Sequence, residues 1–323
     1  MAAYAVRRVL IAVPILWAIT VLAFALLSLA PGDAVDALVL SRGQGRLVLS
    51  GADLQSLKHQ YGLDQPLPVR YLVWLGQVVH GNFGFRVSDG YSVGLLVADR
   101  LPRTLELMGA AMLVGLLIGL PLGLYSALRQ YTVPDYVLTV LAFIGVSVPS
   151  FFAAIGALYI FAVWLHLLPV SGYVTPGRAP SLGDELYHLI LPGSVLAVEF
   201  VAGFMRYARA SMLEVLREEY VTTARAKGLT ARAVVLRHAF RNALLPIITI
   251  VGLSLPNLIA GAVIIESLFN WPGLGQLYFT AIGERDYASM MAMVLLSGTM
   301  VLLSSLLADL AYAVVDPRIR YSH

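Results

Sequence analysis

The stretch Arg206-Tyr-Ala-Arg-Ala-Ser-Met-Leu-Glu-Val-Leu-Arg-Glu-Glu-Tyr-Val-Thr-Thr-Ala-Arg-Ala-Lys-Gly-Leu-Thr-Ala-Arg-Ala-Val-Val-Leu-Arg-His-Ala-Phe-Arg241 decides how the rest of the chain is laid out. It gathers eight Lys and Arg in 36 residues, between two predominantly apolar stretches. Gly228-Leu229-Thr230 divides it into two helix-forming halves. Gly228 can take the left-handed conformation that ends a helix, and Thr230 can cap the next one. The pattern predicts a helix–turn–helix that protrudes from a membrane between two spans. Short loops rich in Lys and Arg stay on the cytoplasmic side, so this loop is assigned to the inside.

Working outward, six segments reach the roughly 20 apolar residues that cross about 30 Å of hydrocarbon. They are approximately Val9–Ala30, Thr104–Ala127, Tyr136–Leu165, Leu186–Met205, Asn242–Ile265 and Tyr287–Val314. Runs of this length without β alternation fit helices rather than barrel strands. With the N-terminus inside, the cytoplasmic segments hold 13 of the 22 Lys and Arg: Arg7, Arg8, Arg129, the eight above, Arg318 and Arg320. The fold class expected is therefore an all-α polytopic membrane protein with six transmembrane helices and both termini cytoplasmic. The third segment is charge-free for 30 residues and carries Gly145, Pro149 and Gly156. A tilted or kinked helix absorbs that length; a broken helix lining a cavity is the sharper alternative.

Composition agrees. The chain is 59% hydrophobic and 13% charged, with a mean hydropathy of +0.80. A soluble domain averages about 45–50% apolar and about 25% charged residues, so this chain could not cover its own apolar surface. The absence of cysteine excludes disulfides, thiolate metal sites and cysteine nucleophiles. The charge-free run Val9–Gly32 exceeds the apolar core of a cleaved signal peptide, and Arg7-Arg8 reads as a topogenic anchor of a retained first span. Residues 31–103 are too polar to cross and carry turn signals such as Gly81-Asn82-Phe83-Gly84. They form an expected extracytoplasmic subdomain, with short amphipathic helices near Asp53–Tyr61 and Val69–Val79. The organisation is thus 1–30, N-terminus and first span; 31–103, external subdomain; and 104–323, a core containing the loop 206–241.

Within the loop, Tyr220-Val-Thr-Thr-Ala-Arg-Ala-Lys-Gly-Leu229 and Leu236-Arg-His-Ala-Phe-Arg-Asn-Ala-Leu-Leu-Pro246 resemble the cytoplasmic EAA loop of ABC importer permeases. The resemblance is to the dipeptide/oligopeptide/nickel branch and runs over nearly the whole chain. It includes Arg7-Arg-Val-Leu-Ile-Ala-Val-Pro14, Leu29-Ala-Pro-Gly-Asp33, Tyr61-Gly-Leu-Asp-Gln-Pro-Leu67 and Glu266-Ser-Leu-Phe-Asn-Trp-Pro-Gly-Leu-Gly275, with Asp316-Pro-Arg-Ile-Arg-Tyr321 at the tail. Two departures stand out. Thr222-Thr223-Ala224 replaces the name-giving Glu-Ala-Ala, and Phe240-Arg241 stands where many members carry Leu-Pro. That arginine and the long first external loop resemble the B-type permease rather than its C-type sister.

The resemblance implies an inner-membrane subunit of a bacterial or archaeal ATP-driven importer of di- or oligopeptides. Nickel or another small solute is the alternative cargo. Its implied partners are a homologous C-type permease, two ATPase subunits, an extracytoplasmic substrate-binding protein and the lipid bilayer, with no nucleic acid. It implies a coupling helix at Thr222, Thr223, Ala224, Arg225, Ala226, Lys227, Gly228 and Leu229 that docks in an ATPase cleft. The subunit is expected to be no enzyme and to hold no cofactor, with ATP and Mg in the partner ATPases. The chain has no Walker phosphate loop of its own.

Intramembrane carboxylates are functional candidates by default. Glu106 and Asp309 lie near interfaces and read as structural. Glu199 is deeper, with Arg206 seven residues on along the same helix face; it reads as structural first, with lining the pathway as the alternative. An ion-coupled secondary transporter, the competing class, would place more such groups near the midplane. The histidines show no ligand spacing, so no metal site is expected. Asn270, Trp271, Pro272 and Gly273 admit two readings. They form an interfacial turn with an aromatic anchor, or an external gate or binding-protein contact.

Overall fold

The computed structural model describes residues 2–29, 55–56, 59, 64–86, 88–179, 181–254 and 262–315. Its helices begin with α1 (Ala2–Leu29), α2 (Leu67–Val79), α3 (Val93–Leu128) and α4 (Val133–Ser147). Helix α5 (Ser150–Ala157) runs on as a π-helix over Leu158–Trp164. Then come α6 (Leu182–Val215), α7 (Glu219–Ala226) and the single turn α8 (Ala231–Ala233). A π-helical stretch Val234–Ala239 leads into α9 (Phe240–Ser254), followed by α10 (Val263–Leu268), α11 (Leu274–Glu284) and α12 (Tyr287–Val315). Among the described residues the only β feature is an isolated antiparallel bridge between Phe85 and Ser92.

Four helices are long and apolar enough to cross a membrane, and two bent pairs raise the number to as many as six. This agrees with the expected all-α polytopic class. Exposed Leu10, Val13, Trp17, Leu22 and Leu26 on α1 are what a bilayer covers. The expected amphipathic helix near Val69 is α2. The expected helix at Asp53–Tyr61, the tail from Asp316 and the end of the fifth span at 255–261 lie outside the described residues, wholly or in large part.

The third span corrects the tilted-helix expectation. Helices α4 and α5 meet at 99°. The cause is local. Pro149 has no N–H to donate and disfavours helical backbone at Val148, which is extended at φ −79°, ψ 120°. The next helix then starts from the Pro149 carbonyl, which accepts from the Phe152 N–H at 2.9 Å.

By contacts the chain divides into two compact units, residues 1–103 with 272–302, and residues 104–271 with 303–323. In the first, α2 packs on α1 through the Thr20 and Tyr71 hydroxyls, 3.0 Å apart, and Phe24 stands edge-on to Tyr71 at 5.4 Å. Arg86 pairs with Glu284 at 3.2 Å and lies 4.0 Å from Asp286. Arg100 donates to Gln276 Oε1 at 2.8 Å. These bonds tie the segment after the first span to α11.

In the second unit the core runs from Leu107, Met108 and Ala111 on α3 to Leu191, Val195 and Leu196 on α6, and to Ile265, Phe269 and Trp271. Gly119 and Gly123, four residues apart on α3, let α3 lie almost on the α6 backbone. A Cβ at Gly119 would stand 2.8 Å from the Val201 carbonyl oxygen, and one at Gly123 2.5 Å from that of Met205. This is the small-residue packing that helices use where no hydrophobic force separates protein from lipid.

Candidate functional site

The loop between α6 and α9 is a helix–turn–helix. Helix α7 carries Glu219 in its first turn and Arg225 in its last, matching the helix dipole at both ends. Its end is a Schellman closure. The Gly228 N–H donates to the Arg225 carbonyl at 3.0 Å and the Leu229 N–H to the Ala224 carbonyl at 3.4 Å, with Gly228 at φ +77°. The Thr230 side chain then caps the next turn by accepting from the Ala233 N–H at 3.3 Å.

Two faces result. Val221 and Ala224, three apart, are buried against Ala127, Met212, Val234, Ala239 and Ala243. Thr222, Thr223, Arg225, Ala226, Lys227, Gly228 and Leu229 are exposed. The small size of Ala224 therefore serves packing within the chain, and it is not on the surface offered to a partner. Tyr220 is bound to α9, its hydroxyl accepting from Asn242 Nδ2 at 2.9 Å, while Ser211 Oγ donates to the Ala243 carbonyl at 2.9 Å. The exposed face is thus carried on a seat locked to both flanking helices.

A polar cluster on α6 precedes that seat in sequence, and no motif marks it. Arg209 donates through Nε to Asp135 Oδ1 at 2.8 Å and through a terminal nitrogen to Oδ2 at 3.0 Å. Ser126 Oγ also donates to Oδ1, and the Tyr131 N–H to Oδ2 at 3.0 Å. Asp135 is buried, so removing Arg209 strands a charge where water cannot reach it. The cluster holds the α3–α4 turn on α6. No spacing connects Asp135 to Arg209 across 74 residues; the one local hint was an acidic residue in the first turn of a helix beginning Val133-Pro134-Asp135.

Of the intramembrane carboxylates, Glu106 accepts from the Tyr173 hydroxyl at 3.3 Å, in line with its structural reading. The side chain of Asp309 lies outside the described residues. Glu199 is exposed on α6 and borders two cavities, one of about 320 Å³ that Arg206 also lines and one of about 220 Å³ beside the α4–α5 break. Glu266 is also buried, its Oε1 accepting from Thr104 Oγ1 at 2.7 Å.

Within the segment at 270–273 the four residues are placed differently. Trp271 is 0% exposed, meets Tyr173 edge-on at 5.0 Å, and donates its backbone N–H to the Glu266 carbonyl at 2.8 Å. It is a core side chain and not an aromatic anchor at the membrane interface. Gly273 is buried and Pro272 half-buried, which leaves Asn270, at φ +49°, as the exposed residue of the four. Among the described residues no three His, Asp or Glu converge as a metal site would require.

Comparison with known proteins bears on the whole chain. Residues 119–321 match the family described as binding-protein-dependent transport system inner membrane component, and residues 1–108 match the N-terminal model of the same transport-system membrane component. The oligopeptide transport system permease protein AppB of Bacillus subtilis is 42% identical over 322 residues, covering 99% of this chain and all of its own length. The dipeptide transport system permease protein DppB of Escherichia coli K12 is 36% identical over 339 aligned positions, 98% of each chain. The oligopeptide transport system permease protein OppB of Mycobacterium bovis is 39% identical over 280 residues, covering 84% of this chain and 86% of its own.

Proposed function

Since the chain belongs to the binding-protein-dependent transport system inner membrane component family, we propose that it works as the B-type permease of an ATP-driven peptide importer, coupled to its ATPases through the exposed face of α7. It is a multi-pass inner-membrane transport subunit. The relatives' names, dipeptide and oligopeptide permeases aligned end to end with this chain, support peptide as the cargo over nickel. Both termini and the α7 loop are cytoplasmic in this reading, residues 31–103 are external, and a homologous C-type permease completes the pore. A substrate-binding protein delivers cargo outside, and two ATPase subunits bind ATP and Mg inside.

The observation that carries the coupling role is the division of α7 into an anchored and an exposed face. Val221 and Ala224 seat the helix on the ends of α6 and α9, so a push on its outer surface is passed to two spans rather than absorbed by a loose loop. The exposed side offers Arg225 and Lys227 for charge recognition beside Ala226 and Gly228, which allow close approach. ATP drives alternating access only if it binds the two conformations with different affinity.

The test is ATP-dependent uptake of a labelled peptide into proteoliposomes containing this chain with its neighbouring-gene partners, for wild type and Gly228→Asp. Wild type takes up peptide only with ATP, and the variant assembles but loses uptake. Uptake without any ATPase, or driven by a proton gradient, would sink the reading in favour of a secondary transporter.

A further inference from the structure

We propose that the cavity spanned by Glu199 and Arg206 is a binding site for the charged ends of a short peptide in transit, Glu199 receiving the α-ammonium group and Arg206 the α-carboxylate. The proposal rests on the peptide-importer reading above and adds where the cargo is held and by which groups.

Both residues lie on α6, and both border the same cavity of about 320 Å³. Seven residues along a helix is a rise of about 10 Å with a rotation within about 20° of two full turns. The two charges therefore look into one space from its two ends. An extended chain covers at most about 3.3–3.6 Å per residue, so a peptide of two to four residues bridges them.

Each charge is also available. Glu199 is exposed and, among the described residues, has no hydrogen-bond or ion-pair partner. A carboxylate in the middle of a spanning helix is too costly to turn toward lipid, and such groups face an aqueous cavity or a bundle interior. Arg206 is exposed too, its guanidinium 5.1 Å from the centre of the Phe143 ring. A cation over an aromatic face keeps its N–H donors for a carboxylate, which a guanidinium fits in bidentate fashion.

Along the helix between the charges the wall carries Phe200, Gly203 and Phe204. A Cβ at Gly203 would meet nothing within 4 Å, so the centre of the cavity is open. Apart from the two charges, the polar side chains on the wall are Tyr207 and Ser254, the latter donating to the Ile250 carbonyl at 2.7 Å. A mostly apolar wall reads little of the side chains, while the charged ends are common to every unmodified peptide. The arrangement selects for peptides and against sequence. A small inorganic ion would engage one charge and leave the other idle. Two single contacts also make a weak site, and cargo must leave as readily as it enters.

The experiment uses the complete purified complex of this permease with its sister permease and ATPases, without binding protein. Saturation-transfer NMR is recorded with trialanine, N-acetyl-trialanine and trialanine amide, a method that detects weak binding. For wild type, trialanine binds about tenfold more tightly than either blocked form, the effect of one hydrogen-bonded charge. Glu199→Gln removes the discrimination against the acetylated peptide alone, Arg206→Gln that against the amide alone, and Glu199→Asp retains the wild-type ranking. The proposal fails if both Gln variants keep the wild-type ranking, or if either weakens all three peptides equally, as a merely structural residue would. ATP-driven trialanine uptake by the same complexes in proteoliposomes, with the substrate-binding protein supplied on the outer side, separates the two levels. A wild type that transports while the variants keep the wild-type ranking removes this site and leaves the importer reading standing. A wild type that neither transports nor binds trialanine removes both.

Discussion

Two buried aspartates are handled in opposite ways. Asp135 is enclosed by a bidentate guanidinium, a hydroxyl and a backbone N–H, so its charge is compensated at the point of burial. Asp286, next to the start of α12, is 3% exposed. Its Oδ2 has no hydrogen bond, and Arg86 stands 4.0 Å away. Burial pushes the Asp286 carboxyl above the usual carboxylate range, and the Ser289 contact and Arg86 offset only part of that. The direction fixes a pH dependence. Below an ordinary carboxylate pKa of about 4, folded and unfolded chains both carry the proton. Above it the unfolded chain releases its proton first, so stability falls as pH rises, until the raised folded-state value is passed. Asp286→Asn is expected to abolish this slope, and thermal unfolding in detergent from pH 4 upward measures it. A wild-type curve parallel to that of the variant would refute the assignment.

At the scale of elements, backbone contacts decide the arrangement of α3 and α6. At Gly123 an added Cβ meets a carbonyl oxygen and the Cβ of Ala208, neither of which can swing aside as a side-chain tip would. Gly123→Ala is therefore expected to destabilise by about 1–3 kcal/mol, the usual cost of overpacking, despite the better helix propensity of alanine. Gly109→Ala on the same helix, where a Cβ meets nothing within 4 Å, gains the propensity without the clash. Opposite shifts in melting temperature for the two variants check the argument; equal shifts would show that α3 and α6 do not approach this closely. The break between α4 and α5 belongs here too, since Pro149 turns one apolar run of spanning length into two helices at 99°.

For the molecule as a working permease, the relevant quantity is the charge offered on the loop surface. Arg225 and Lys227 are exposed and belong to no ion pair among the described residues, whereas Val221 and Ala224 hold the helix from behind. Reversing both charges should leave the loop folded and slow its association with the ATPase, because exposed charges act on encounter and on salt sensitivity more than on intrinsic affinity. Association rates at low and high salt, for wild type and Arg225→Glu/Lys227→Glu, are the measurement. The wild-type rate is expected to fall with salt and that of the double variant to stay low. Identical salt dependence would place the ATPase contact elsewhere.

The order of apolar spans, the basic loop, its glycine stop and its threonine cap were all legible in the residues. Each depends on composition or on neighbours a few positions apart: the bilayer selects by apolar length, and a helix ends where a left-handed residue and a capping hydroxyl are supplied. The resemblance carried by the loop and its flanking strings likewise needed only the order of the residues. What the tertiary structure decided is which groups meet. Asp135 finds Arg209, Trp271 turns into the core instead of toward an interface, Ala224 faces inward, and Glu199 shares a cavity with Arg206. No local pattern encodes these pairings, because in a chain with apolar residues on nearly every helix face, periodicity no longer separates the side that meets protein from the side that meets lipid.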